Sequence, residues 1–263
     1  TTDEFIWPRL RPAITPDEGR IARKAVYSFE SKLATRWREG RLMIAGDAAH
    51  LMPPFLGQGM CTGIRDVANL AWKLAAVLRW EAPDSLLDSY ESERREHTRT
   101  YIETAVRVGE MMNSAQTTEE LIHAVQPDGS AKMSSIEKGL VGALGLSNDM
   151  MRGKRACQPR LVSGELLGDV MENKFAIICS ESVANSLGSI SRKYLKVFLA
   201  DNDNSLSDFL SKNKASGIVI RPDFYILASL KANAATDQQS EYFEFLSEFF
   251  NNFQSAVKHS TSL

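Results

Sequence analysis

Covalent staples are the first thing this sequence lacks. Its 263 residues hold three cysteines, Cys61, Cys157 and Cys179. They lie far apart and form no CxxC pair, which excludes a disulfide framework and a zinc-ligand set and points to a reducing, cytoplasmic setting. Long apolar runs are missing too: no stretch of about 18 apolar residues is available to span a bilayer. The opening Thr1-Thr2-Asp3-Glu4 has no basic-then-apolar signal pattern and no initiator methionine, so the chain reads as processed, trimmed or a fragment. An excess of charge is absent as well. Thirty-one Lys plus Arg face 33 Asp plus Glu, a formal net charge of -2, too balanced for the basic stripe that binding a phosphate backbone needs. With 43% hydrophobic and 24% charged residues, what remains is an ordinary globular composition of one or two domains, without disorder.

Apolar residues at alternate positions over residues 22–29 (Ala25, Tyr27, Phe29) predict sheet, and Trp37 leads into a turn at Glu39-Gly40. The apolar run 41–45 predicts a buried parallel strand whose end delivers Gly46-Asp47 to a ligand-binding turn. After a loop with Pro53, Pro54, Gly57 and Gly59, residues 62–80 place Ile64, Val67, Ala68, Ala71, Leu74, Ala75 and Leu78 at three-and-four spacing, a well-buried helix. Pro83-Asp84 ends it. A second long helix is predicted over 85–112, with residues 91–99 as a solvated charged face. Residues 113–157 read as a helical connector.

A second domain follows over 158–263. Strands at 175–179 and 195–199 flank a short helix at 182–189, strands at 217–220 and 224–227 flank Arg221-Pro222-Asp223, and an amphipathic helix over 238–253 buries a Phe stripe. Strand, helix, strand, then strand, strand, helix is the order of thioredoxin-like folds, here without the CxxC that makes one redox active.

Chemistry concentrates in Gly46-Asp47-Ala48-Ala49-His50-Leu51-Met52-Pro53-Pro54-Phe55-Leu56-Gly57-Gln58-Gly59-Met60-Cys61. A strand end, one carboxylate, a stiff Pro-Pro loop, small residues and a helix start are parts for holding a polar, partly anionic planar ligand. Asp47 can accept hydrogen bonds from sugar-alcohol hydroxyls, while N–H groups near Gly59, Met60 and Cys61 offer positive partial charge. Plainer readings stand beside these. Asp47 also suits a turn or N-cap, the glycines suit turn geometry, and His50 reads as a hydrogen-bonded structural histidine. Arg65 and Asp66 suit an ion pair on the first helical turns, and Cys61 a small packed residue.

Together with Arg36-Trp37, Gly40-Arg41, Asn69-Leu70-Ala71-Trp72-Lys73-Leu74 and Leu87-Asp88-Ser89-Tyr90-Glu91-Ser92-Glu93-Arg94-Arg95, this run resembles the second flavin motif of the FAD-dependent aromatic hydroxylases, the group A flavoprotein monooxygenases. Within them it is most similar to the 3-(3-hydroxyphenyl)propionate hydroxylase type. A weaker likeness, carried by Gln158-Pro159-Arg160 and residues 217–223, is to the thioredoxin-like tail of the phenol-hydroxylase branch. The resemblance implies an α/β fold. Residues 1–112 would be the C-terminal part of a Rossmann-like FAD-binding and substrate domain with long helices, 113–157 the connector, and 158–263 a thioredoxin-like α/β domain.

The resemblance also implies FAD, reduced by NAD(P)H and reacting with O2 to a flavin C4a-hydroperoxide that hydroxylates a phenol such as a hydroxyphenylpropionate. Asp47, beside Gly46, would contact the ribityl chain, and Pro54 would lie at the reactive flavin edge. The backbone of Gly57, Gln58, Gly59, Met60 and Cys61 would face the pyrimidine side. Cys61 stands where an Asn is expected, which leaves it a backbone role; no catalytic residue or metal ligand is assigned. The GxGxxG turn and the Asp-Gly motif of a complete enzyme are not in place ahead of this motif, and Asp128-Gly129 falls in the connector. The chain therefore reads as the C-terminal part of a longer hydroxylase. One alternative is an accessory, non-catalytic chain that needs a partner or upstream segment to bind FAD; another is a related polyketide or antibiotic hydroxylase. Expected partners are the phenolic substrate and O2, no nucleic acid and no membrane, with a homodimer or packing against a missing N-terminal FAD domain.

Overall fold

The computed structural model describes residues 2–11, 13–114, 139–188, 190 and 193–253, and the chain divides into two units, Thr1–Glu30 and Ser31–Leu263. The first contains α1 (Asp3–Leu10), whose Arg9 guanidinium lies 3.6 Å over the Phe5 ring. Residues 22–29, expected as sheet, are irregular and exposed, and pair with no strand among the described residues. Alternation without a partner strand does not hold a strand in water.

The second unit begins with two-residue strands: β1 (Lys32–Leu33), β2 (Arg38–Glu39), β3 (Leu42–Met43) and β4 (His50–Leu51). β1 pairs antiparallel with β4, and β2 with β3. The parallel strand expected at 41–45 is therefore a small hairpin, turned at Gly40 with positive φ, and Leu42 is 77% exposed. Its apolar run finds no neighbouring sheet to bury it among the described residues.

Two long helices follow where the sequence places them, α2 (Gly59–Arg79) and α3 (Asp88–Ser114). Their faces are not as expected. Ile64, Val67, Ala68, Ala71 and Leu78 point outward on α2, and the buried side holds Thr62, Asp66, Asn69, Trp72, Lys73 and Ala76. On α3 the supposedly solvated stretch 91–99 buries Glu93, Arg94, His97 and Thr98. The physical reason is shared: each helix turns a polar stripe inward, where opposite charges pair, and burial of charge is tolerated only with such partners.

The C-terminal part keeps the expected order of strands and adds two helices that were not expected, at Leu167–Met171 and Asn204–Lys212. After α4 (Leu167–Met171) come β5 (Phe175–Cys179), α5 (Glu181–Ser186), β6 (Leu195–Leu199), α6 (Asn204–Lys212), β7 (Ala215–Ile220), β8 (Ile226–Lys231) and α7 (Thr236–Asn251). Ser180 caps α5, accepting from the Val183 N–H; Ser189, the end of the expected helix, lies outside the described residues. The sheet order is β6-β5-β7-β8, with β5 parallel to β6 and antiparallel to β7, and β7 antiparallel to β8. Alternate residues of β5 face opposite layers. Phe175, Ile177 and Cys179 pack with Tyr242, Leu246 and Phe250 of α7 and with Trp72 and Ala76 of α2. Ala176 and Ile178 pack with Leu206, Phe209 and Leu210 of α6 and Leu167 and Met171 of α4.

Of the expected helical connector, residues 115–138 lie outside the described residues, and 139–155 form turns instead of helix. Their backbone is committed elsewhere. Leu146 and Gly153 donate to the carbonyls of Leu227 and Ile226, and the Ile226 N–H donates to Lys154, so this segment covers the edge of β8.

Candidate functional site

Asp47 lies in a 3-10 turn, Gly46–Ala48, with its side chain exposed. The turn rests directly on α2. Gly46 has positive φ, which favours glycine, and a Cβ on Gly63 would stand a tight 3.2 Å from its Cα, so glycine at 63 lets the backbones approach here. Asp66 ties the turn down from the buried side. Its Oδ2 accepts from the Gly46 N–H at 3.2 Å and lies 2.6 Å from His50 Nε2, and its Oδ1 accepts from Arg94 Nε at 2.9 Å. His50 is thus a buried structural group flanking Asp47, with its ring 5.6 Å from that of Trp37.

The following loop is braced at both ends. Pro54 opens a 3-10 turn, Pro54–Leu56, that closes with Gly57 in the left-handed region, its N–H donating to the Pro54 carbonyl at 2.8 Å. Phe55 is pressed onto α3, where a Cβ on Gly109 would come within 2.3 Å of its ring. Gln58 precedes α2 without capping it and accepts instead from Arg65 at 3.3 Å. With no side-chain cap and no acidic residue in its first turn, α2 leaves the N–H groups of Gly59, Met60 and Cys61 for an acceptor from outside. Asp47, Pro54, Gly57 and Met60 are exposed, and Gly46, Gln58, Gly59 and Cys61 are half-buried. The donor set fits a ligand with hydroxyls at one end and carbonyl or anionic character at the other. Beyond Gly57 there is open space, nothing lying within 4 Å of an added Cβ.

The sequence reading missed the polar groups that hold this loop's helix. Glu93 receives two hydrogen bonds from Arg221, at 2.6 and 2.9 Å, one from Lys73 Nζ and one from Asn69 Nδ2, both at 2.8 Å, and one from the Leu144 N–H at 2.7 Å. Asp223 accepts from Arg221 Nε and from Asn69 Nδ2, each at 2.9 Å. Lys73, Glu93 and Arg221 are fully buried. Burial works against the Glu93 charge, but Arg221 and Lys73 outweigh it and hold the carboxyl well below its usual range. Burial also opposes the Arg221 charge, which Asp223 and Glu93 more than restore. For Lys73, burial with Arg221 nearby prevails over Glu93 and lowers the ammonium to about 8. One signal was available: Asp66, Asn69 and Lys73 on α2, and Glu93, Arg94 and His97 on α3, are polar stripes at helical spacing.

This geometry has relatives. Over residues 1–105 the sequence matches the family described as FAD binding domain. It is 49% identical over 112 residues to a probable NADH-specific resorcinol 4-hydroxylase of Rhodococcus jostii, covering 43% of this chain and 21% of that protein. It is 32% identical over 268 residues to a 3-(3-hydroxy-phenyl)propionate/3-hydroxycinnamic acid hydroxylase of Mycolicibacterium gilvum, covering 84% of this chain and 47% of that one. The fold is shared with a solved structure of K252c-soaked RebC, at a TM-score of 0.73 and 21% identity, over 97% of this chain and 52% of that chain. The chain thus spans about half the length of these proteins or less.

Proposed function

We propose that this chain carries the second flavin-contacting segment of an FAD-dependent aromatic-ring hydroxylase that uses NAD(P)H and O2. The observation that carries the reading is the juxtaposition of an exposed carboxylate, Asp47, with the uncapped start of α2, brought together by the Gly46–Gly63 approach. In this reading Asp47 holds the ribityl hydroxyls, the backbone of residues 57–61 meets the pyrimidine side of the ring, and Pro54 shapes its reactive edge. Such a cofactor supplies transfer of reducing equivalents from NAD(P)H to O2 with hydroxylation of an electron-rich ring. The chain's own residues bind and orient it. A phenolic substrate is supported by the resorcinol and hydroxyphenylpropionate named for the relatives.

We read residues 1–112 as part of the flavin and substrate domain and residues 158–263 as a thioredoxin-like domain in a cytoplasmic protein; no helix among the described residues is long and apolar enough to cross a membrane. A second reading, a chain that binds FAD only with a partner, is favoured by one observation. The stripe Met60, Ile64, Val67 and Leu78 on α2 is 56–78% exposed, a face suited to packing against the half of the relatives' length that this chain does not span. Titration of the 263-residue protein with FAD, followed by flavin fluorescence and the visible band, tests the proposal. Saturable binding that Asp47→Ala weakens at least about tenfold, some 1.4 kcal/mol, supports it. Absence of binding by well-folded protein sinks it in favour of the partner-dependent reading.

A further inference from the structure

Two sequence motifs left over by the flavin reading, Glu93-Arg94-Arg95 on α3 and Arg221-Pro222-Asp223 between β7 and β8, meet in the structure. We propose that Arg221 is a positioning residue for the flavin loop: the C-terminal sheet, through Arg221 and Glu93, holds α2 and so sets where its first turn stands. The inference rests on the flavin reading for its functional meaning and on geometry for its substance.

Arg221 sits in a turn whose backbone is closed on itself, its N–H donating to the Tyr225 carbonyl and its carbonyl accepting from the Phe224 N–H, each at 2.9 Å. Its guanidinium then spans two carboxylates, Asp223 of the same turn and Glu93 of α3. Both carboxylates also bind α2: Asn69 Nδ2 donates to Glu93 and to Asp223, and Lys73 Nζ donates to Glu93. Two cations and two carboxylates, all nearly or wholly excluded from water, leave no net charge at the node. Three residues beyond Asn69, Trp72 of α2 packs edge-on to Phe175 of β5, with ring centroids 5.4 Å apart, so an apolar contact and a polar clamp fix the same stretch of helix to the sheet. Asn69 lies ten residues from Gly59, about 15 Å of rigid helix at 1.5 Å per residue. Between them Asp66 bonds the Gly46 N–H. A shift of the node is therefore delivered both to the uncapped first turn and to the Asp47 turn. Planar, bidentate recognition is what a guanidinium offers and an ammonium does not, so lysine is a poor replacement at 221.

The three cysteines, none in a disulfide, report on this without any flavin: Cys61 lies in the first turn of α2, Cys157 is exposed, and Cys179 is buried in β5. Alkylation rates for each thiol, resolved by peptide mass spectrometry, are compared for the native chain, for the charge-neutral double variant Glu93→Gln/Arg221→Met, and for Arg221→Lys. Thiol access at a half-buried position follows local opening. The expected result is a Cys61 rate raised roughly tenfold in the double variant and by a smaller factor in Arg221→Lys, with Cys157 unchanged and Cys179 still protected. Should the double variant expose Cys179 as well, Arg221→Lys decides alone: a faster Cys61 with protected Cys179 supports the proposal. A Cys61 rate equal to that of the native chain in a folded variant overturns it, and confines Arg221 to stabilising its own turn. FAD titration of the same proteins separates the two levels. A native chain that takes no FAD removes flavin binding by the chain alone and leaves the partner-dependent reading, and the thiol comparison still stands or falls by itself.

Discussion

The two ends of α2 rest on different physics. Its C-terminal half joins a sheet whose central strand, β5, is buried at every residue and whose layers interlock through apolar side chains: Phe175 alone meets the rings of Trp72, Phe249, Phe250 and Phe253. Its N-terminal half belongs to a region of two-residue strands, held by Asp66, Arg94, His50 and the Tyr90 hydroxyl on the Ile44 carbonyl, while apolar Leu42, Met60, Ile64 and Val67 face outward. The first region is stable because it buries what is apolar. The second encloses an apolar cluster around Trp37, Ala49 and Tyr90 and adds to it buried directional bonds, which set atoms at fixed distances and suit a platform that presents a loop to a ligand.

The contrast breaks most sharply at one buried position on each side. Phe175→Ala should cost about 3–5 kcal/mol by urea unfolding, as loss of a buried ring does, and Phe175→Leu should recover much of it. Arg94→Met should cost a similar ~3–5 kcal/mol, because it strands the Asp66 carboxylate away from water. Here the remedy differs: adding Asp66→Asn should restore stability, whereas no change of charge rescues Phe175→Ala.

Acid separates the regions next. Glu93 binds its proton less readily in the folded chain than in the unfolded one, whose carboxyl has the usual value of 4.5. The stability it contributes is therefore present above that value and lost as pH falls below it. Urea midpoints measured from about pH 6 down to about pH 3.5 should drop for the native chain, and Glu93→Gln should flatten this acid limb.

Smaller still, Gly63→Ala should cost about 1–2 kcal/mol by driving a methyl toward the Gly46 backbone, with FAD affinity falling more than stability does. Ile64→Ser and Leu78→Ser should alter unfolding by no more than about 0.5 kcal/mol, yet reduce self-association in light scattering, since both residues are exposed on the apolar face of α2.

The same contrast explains what was legible in the sequence. β5, β6 and α7 follow from local patterns because their burial is decided by elements within the described chain, whereas α6 lies where the sequence reads as turn-rich. The positions of α2 and α3 were legible for the same reason, through three-and-four spacing and the break at Pro83. Their orientation was not: apolarity normally marks the inward face, and here Asp66, Asn69, Lys73, Glu93 and Arg94 occupy it in paired stripes. Residues 41–45 misled similarly, as an apolar run reads as buried strand whether or not a sheet receives it. The candidate loop, from Gly46 to Cys61, was legible in composition, and its brace by Asp66 and Phe55 was not. That Arg221, more than a hundred residues away, would meet Glu93 is a long-range fact that no local pattern carries.

Hydrogen exchange of the chain with and without saturating FAD tests the central claim most directly, because it reads both regions in one experiment. The account predicts slower exchange in peptides covering residues 46–61 when FAD is added, and no change in residues 175–179 and 215–231. Protection that appears in the C-terminal sheet instead, with residues 46–61 exchanging as before, would contradict it.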